Sequence, residues 1–434
     1  MNGTRGRGRW LPDGRPLRGR HISHIQHNEQ NKEKSSKGGD KRKEYTALAS
    51  VPLVLVLGNS MLVPILPELQ SKLHISQFQS SLVISVFSIA AGIIIPISGY
   101  LSDRFSRKAV LIPSLILYGS AGILAGMGAV WNSYTILMSG RVLQGMGAAG
   151  TSAIAMALVG DMYKDGTESQ ALGLIEAANA GGKVLSPVLG SLLALIVWYA
   201  SFFAFPVFCL LSLLAIIFLI HEPKNKRPSV PIGEYVRNIL NVLKQKGRWL
   251  LSSFFTGAVG LFILFGVLFY LSDKLEEPPY DIDGVMKGLI LAIPLLGMVT
   301  TSFITGSKIK KNGVVIRRLT MTGLLTMAVS EAVAIFTDEN IYLLIGLLTL
   351  GSIGTGLLLP CLNTMITGSV EKNQRGMITS LYNSLRFLGV AFGPPLFGWL
   401  MGISHAAVFG TVAVLSLLTF FLAFKLIKPS ATVQ

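Results

Sequence analysis

Five ionisable residues stand inside long apolar runs of this chain: Arg141, Glu176, Lys183, Glu331 and Arg386. A charge in hydrocarbon is costly, so such residues face an interior or watery cavity, where they pair, bind a polar ligand or pass a proton. Glu176 and Lys183 are seven residues apart, which on a helix returns them to nearly one face about 10 Å along the axis. Asn179 falls between them and completes a polar stripe. A carboxylate balanced between burial and a cation such as Lys183 or Arg141 exchanges a proton when helices move. Glu176 is therefore the preferred proton-coupling residue, and Glu331, nearer the end of its run, the next. Arg386 lies deep in its run, three positions before Gly389. With Asn179 and Lys183 it forms the candidate substrate site, and Phe265 and Phe269 offer an aromatic lining. The competing account of each charge is structural, an ion pair or hydrogen bonds that lock helices together.

A second constellation lies between two apolar runs: Gly99-Tyr-Leu-Ser-Asp-Arg-Phe-Ser-Arg-Lys108. Asp103, Arg104, Arg107 and Lys108 crowd a turn too short to leave the membrane surface, and bases gathered there place that face in the cytoplasm. Gly99 lets the preceding helix end close to a neighbour. Asp103 is expected near the start of the eleventh run, around Gly376 to Thr379, where a helix amino end favours an anion. Asp161 is a partner for Arg104 or Arg107, and Gly99, Asp103, Arg104, Arg107 and Asp161 make up the candidate gate.

The elements that position these residues are helices that cross a bilayer. The chain of 434 residues is 51% hydrophobic and only 14% charged, against roughly 25% charged in soluble domains, and its mean hydropathy is +0.57. Apolar runs of about 20 residues, one helical span each, fall near 46–69, 78–101, 108–130, 134–160, 168–196, 199–220, 249–272, 284–306, 315–336, 341–367, 377–401 and 404–427. Residues 1–44, polar and basic, are read as a disordered cytoplasmic tail that touches anionic lipid, without a cleavable signal peptide. His21, His24 and His27 there lack the Cys or acidic partners of a metal site. The halves are 45–220 and 249–428, joined by a cytoplasmic linker, 221–248, whose amphipathic helix, Ile232 to Lys246, lies along the inner surface. The net charge of +16 does not mark a nucleic-acid binder. Outside the three deep cations, only Lys72, Lys274 and Lys287 of the 38 Lys and Arg fall on the outer side, so both termini are cytoplasmic. Cys209 and Cys361 lie within apolar runs and form no disulfide framework.

One offset of 207 residues relates the two halves. Gly99 maps to Gly306, which opens a second basic turn, Gly147 to Gly354, Gly182 to Gly389, and Ser186-Pro187 to Gly393-Pro394. The same offset carries Asn179 onto Arg386, so both deep polar positions face one central cavity between parallel repeats. These motifs resemble the major facilitator superfamily, more closely its twelve-span drug:proton antiporters. The 99–108 loop resembles that superfamily's loop between spans two and three. Arg141-Val-Leu-Gln-Gly-Met-Gly147 resembles the fourth-span motif of proton-coupled members. Gly181-Gly-Lys-Val-Leu-Ser-Pro-Val-Leu-Gly190 resembles the fifth-span motif of exporters, with Ser186 where exporters usually carry Gly. The resemblance implies that Arg141 takes part in proton translocation.

The sequence therefore reads as an all-α membrane protein, twelve transmembrane helices in two pseudo-symmetric halves. It is read as a monomer in the cell membrane that exports small amphipathic molecules in exchange for protons by alternating access. Its partners are the lipid bilayer, its small-molecule substrate and protons; no cofactor, metal or nucleic acid is expected. With three deep cations against two deep acids, a carrier of an anionic metabolite is the alternative. A non-transporting sensor is more remote, and no nucleophile–base pair or metal-ligand spacing suggests an enzyme.

Overall fold

A computed structural model describes residues 42–163, 166–222, 231–309, 312–337, 340–368 and 372–428, without the side chains of 166–170 and 372–375. The three tail histidines, most of the basic tail and the start of the linker lie outside these residues. Twelve long helices follow in order: α1 (Arg42–Leu73), α2 (Gln77–Arg104), α3 (Arg107–Val130), α4 (Tyr134–Met162), α5 (Gly166–Ala194), α6 (Ala200–Leu219), α7 (Ile232–Glu276), α8 (Gly284–Lys308), α9 (Gly313–Ala334), α10 (Ile341–Gly368), α11 (Lys372–Met401) and α12 (His405–Leu426). At five helix starts Ser76, Ser106, Ser133, Asn312 and Ser404 accept otherwise unpaired backbone amides.

Among the described residues, nine of these helices are long and apolar enough to cross a membrane. The other three, α5, α9 and α11, have spanning lengths of 29, 22 and 30 residues. They carry Glu176 and Lys183, Glu331, and Arg386, the deep charges that dilute their hydropathy. Two boundaries differ from expectation. The first helix takes in Arg42 to Glu44 from the expected tail. The linker helix does not end before the seventh span: Ile232–Glu276 is one helix of 45 residues, about 68 Å at 1.5 Å per residue. No proline interrupts it, and Gly247 alone does not break a helix. Its extension leans on α2, where the Tyr235 and Tyr100 rings meet edge-on at 5.1 Å.

The packing repeats with the sequence. Helix α4 rests on α2 and α3, and α3 on α6; likewise α10 rests on α8 and α9, and α9 on α12. A methyl on Gly147 would stand 2.6 Å from the Tyr118 amide of α3, and one on Gly354 2.5 Å from the Gly323 carbonyl of α9. Gly182 meets Leu53 of α1 as Gly389 meets the Ala258 carbonyl of α7. Small residues let backbones approach this closely, the main source of helix association in lipid. The halves meet along two equivalent seams, α2 on α11 and α5 on α8. Helix α7 lies deep, with 83% of its most apolar window buried, whereas α6 has 28% and faces outward, bearing exposed Leu211 and Phe218. Cys209 and Cys361 are buried free thiols.

Candidate functional site

Three separate polar clusters emerge. The first surrounds Arg141, which is fully buried where α1, α2 and α4 meet. Its Nε donates to the Val83 carbonyl at 2.8 Å, one terminal nitrogen to the Gly58 carbonyl at 3.2 Å and Gln144 Oε1 at 2.8 Å, and the other to Asn59 Oδ1 at 2.9 Å. The guanidinium carbon stands 4.4 Å from the Phe87 ring centre. The carboxylate expected beside this cation is not in its shell; four of its five donors go to neutral oxygens. Gln144, from the fourth-span motif, completes the cluster with Asn59 and Phe87, which carried no sequence signal.

The second cluster spans the halves. Lys183 of α5 is in electrostatic contact with Arg386 of α11 as well as with Glu176 on its own helix. Asn179 is half-buried one turn away. Arg386 donates to Asn383 Oδ1 at a long 3.4 Å and sits 5.4 Å over the Tyr382 ring. Its Nε and the Tyr382 hydroxyl are buried without hydrogen-bond partners among the described residues. Glu176 corrects the sequence reading, since it is exposed rather than buried; Gly173, nearly one turn before it, likewise has nothing packed over it. Phe269 is packed, 2% exposed, against Gly398 of α11, while Phe265 keeps part of its surface open. The three proton-coupling candidates are not brought together. Glu331 lies within the second half, 1% exposed, with neither carboxyl oxygen hydrogen-bonded among the described residues. A methyl on Gly351 of α10 would come within 2.8 Å of its Oε1.

The third cluster is the loop 99–108. Asp103 and Asp161 both grip Arg107, at 2.7 and 3.1 Å, and Ser102 accepts from it at 2.7 Å. Arg104 donates to the Tyr100 hydroxyl at 3.1 Å. Gly99 abuts the Ser380 hydroxyl of α11, just past the stretch expected for Asp103. Glu222, unforeseen, accepts from the Arg107 and Lys108 amides at 2.7 and 3.0 Å and so caps α3. Lys108 in return donates to the Ile220 carbonyl at the end of α6, 2.8 Å away. Nearby Tyr163 donates to Glu44; burial first, and then that bond, hold its phenol well above the usual range.

The sequence matches a family profile described as Major Facilitator Superfamily, over residues 48–314 and 277–434. The chain belongs to the Major Facilitator Superfamily. This member is 46% identical to the "Bacillibactin exporter" of Bacillus subtilis (strain 168), over 88% of this chain and 95% of that protein. It is 29% identical to the same organism's "Multidrug efflux protein YfmO", over 83% and 86%. Among solved structures it superposes on a D-xylose-proton symporter with a TM-score of 0.71 at 14% identity, covering 90% of this chain and 99% of that one. The human organic anion transporter MFSD10 (TETRAN) gives 0.69 at 20%, covering 88% and 99%. As a superfamily member the chain is a multi-pass membrane transporter, not an enzyme.

Proposed function

We propose that this transporter exports a small amphipathic organic molecule across the cell membrane in exchange for protons, by alternating access and as a monomer with both termini cytoplasmic. The observation that carries export is the likeness to the Bacillibactin exporter along nearly the full length of both chains, which makes bacillibactin the first substrate to test. Alternating access is supported by the two-half construction, with a cation of α5 within electrostatic reach of one of α11. Glu331 is the preferred proton carrier, ahead of the exposed Glu176. An ionised carboxylate without a donor is expensive inside a protein, a neutral carboxyl much less so, so a change of helix packing against Gly351 gates its proton.

Everted vesicles that contain the transporter and hold an acid interior test this reading. They should accumulate bacillibactin, and a protonophore should abolish the accumulation. Glu331→Gln should accumulate no more than de-energised vesicles while substrate counterflow stays within about twofold of wild type, the pattern of a lost driving step with binding intact. Accumulation that survives the protonophore removes proton coupling. Absence of accumulation for bacillibactin and for a panel of amphipathic compounds removes export.

A further inference from the structure

We infer that the transported molecule carries an anionic group, held between Lys183 of α5 and Arg386 of α11. Two like charges from opposite halves stand within electrostatic reach of each other, and packing alone gives no reason to bring them together. Lys183 makes neither a hydrogen bond nor an ion pair among the described residues. Arg386 leaves its Nε unpaired and has one long bond, to Asn383. The buried Tyr382 hydroxyl beneath it is a third donor without a partner. Unpaired buried donors are rare because each forfeits its solvation. Here two such donors, with the half-buried Lys183 ammonium within electrostatic reach, point to one missing ligand, an acceptor with negative charge.

The counter-charge supplied by the protein itself is small. Glu176 reaches Lys183 electrostatically, but it is exposed and forms no ion pair with it. The remaining polar side chains at the site, Asn179 and Asn383, are neutral. The cations lie in different halves, so an anion between them draws α5 and α11 together. A ligand shifts a conformational equilibrium when it makes contacts in one state that it lacks in the other. A phosphate, sulfonate, carboxylate or ionised phenol meets the chemistry. This inference takes from the export reading only that the cleft is a substrate site.

A matched pair of probes tests it: 8-anilinonaphthalene-1-sulfonate and its uncharged counterpart N-phenyl-1-naphthylamine, which share one aromatic body. Full-length transporter in nanodiscs of zwitterionic lipid is titrated with each, and the signal of empty nanodiscs is subtracted. The sulfonate should bind saturably and at least about tenfold tighter than the neutral probe. Lys183→Gln and Arg386→Gln should each erase most of that preference, whereas Lys183→Arg and Arg386→Lys should keep it. Glu176→Gln should tighten sulfonate binding, an effect of opposite sign that misfolding cannot imitate. Equal affinities for the two probes, or Gln variants within about twofold of wild type for the sulfonate, overturn the inference. Binding that behaves as expected in a protein that fails the vesicle assay rejects export and leaves the anion site standing; the reverse combination rejects the site alone.

Discussion

At the scale of residues, Arg141 and Glu331 show how differently a membrane interior treats two buried charges. Arg141 spends its guanidinium on three helices at once, with bonds to Gly58, Asn59, Val83 and Gln144 and the Phe87 face beside it. Lysine has three donors on a point charge and cannot reproduce a planar fork. Arg141→Lys should therefore strand at least one buried acceptor, at about 1–3 kcal/mol. We expect a lower melting temperature in detergent, with a parallel fall in folded yield. A variant that melts like wild type yet has lost transport would instead give Arg141 a direct part in proton movement. That Arg141, Glu331, Lys183 and Arg386 fall within helices of spanning length was legible from the apolar runs that hold them. What surrounds each of them was not. Carbonyls of Gly58 and Val83 carry no side-chain signal, and the electrostatic influence of Arg386 on Lys183 links helices more than 200 residues apart. The exposure of Glu176 was hidden too, since span periodicity fixes a face but not what covers it.

The helices themselves were readable because apolar length and repeated glycines write locally. The 207-residue repeat found Gly147 with Gly354 and Gly182 with Gly389; the first pair meets neighbouring backbone in both halves, while Gly182 meets the Leu53 side chain and Gly389 the Ala258 carbonyl. The long α7 escaped the reading because basic and apolar segments looked like separate elements, whereas backbone propensity runs through both. Glu222 escaped it for another reason: it lies 115 residues from the Arg107 amide that it accepts. The two helix ends cap each other there, Glu222 on the amino end of α3 and Lys108 on the carboxyl end of α6, each charge matched to the helix dipole. Glu222→Ala removes an acceptor from two amides and should cost about 0.5–2 kcal/mol, the range for a lost cap. Glu222→Asp should recover part of it, and the loss should appear as earlier proteolysis of the α3–α6 region. Equal protease resistance in wild type and the Ala variant would show that the cap does not hold these ends.

At the scale of the molecule, the face opposite the basic loops is bonded shut between the halves. Ser272 of α7 donates to the Val63 carbonyl of α1 at 2.9 Å, and Gln77 of α2 donates to Asp273 at 2.9 Å, with Gln70 at 3.5 Å. Gly288 of α8 closes on Pro187 and Ser191 of α5. On the basic face the halves meet through Gly99 with Ser380 and Tyr100 with Tyr235, contacts of packing more than of charge. A transporter that alternates must break the first set to open, so the strength of that set fixes how often it does. Asp273 accepts from two glutamines and is the acceptor shared by α1, α2 and α7. Asp273→Ala forfeits both bonds, and a loss of about 1–2 kcal/mol shifts a two-state ratio by a factor of roughly 5–30. Spin labels on Ser71→Cys of α1 and Met286→Cys of α8, both on exposed positions, read this as a distance between the halves. The native thiols Cys209 and Cys361 are buried, so the labels report against a quiet background. Asp273→Ala should raise the longer-distance population severalfold, while Asp103→Asn, at the basic face, should not raise it. An unchanged distance distribution in Asp273→Ala would mean that apolar packing of α1 on α7 and α5 on α8, rather than these bonds, keeps the far face closed.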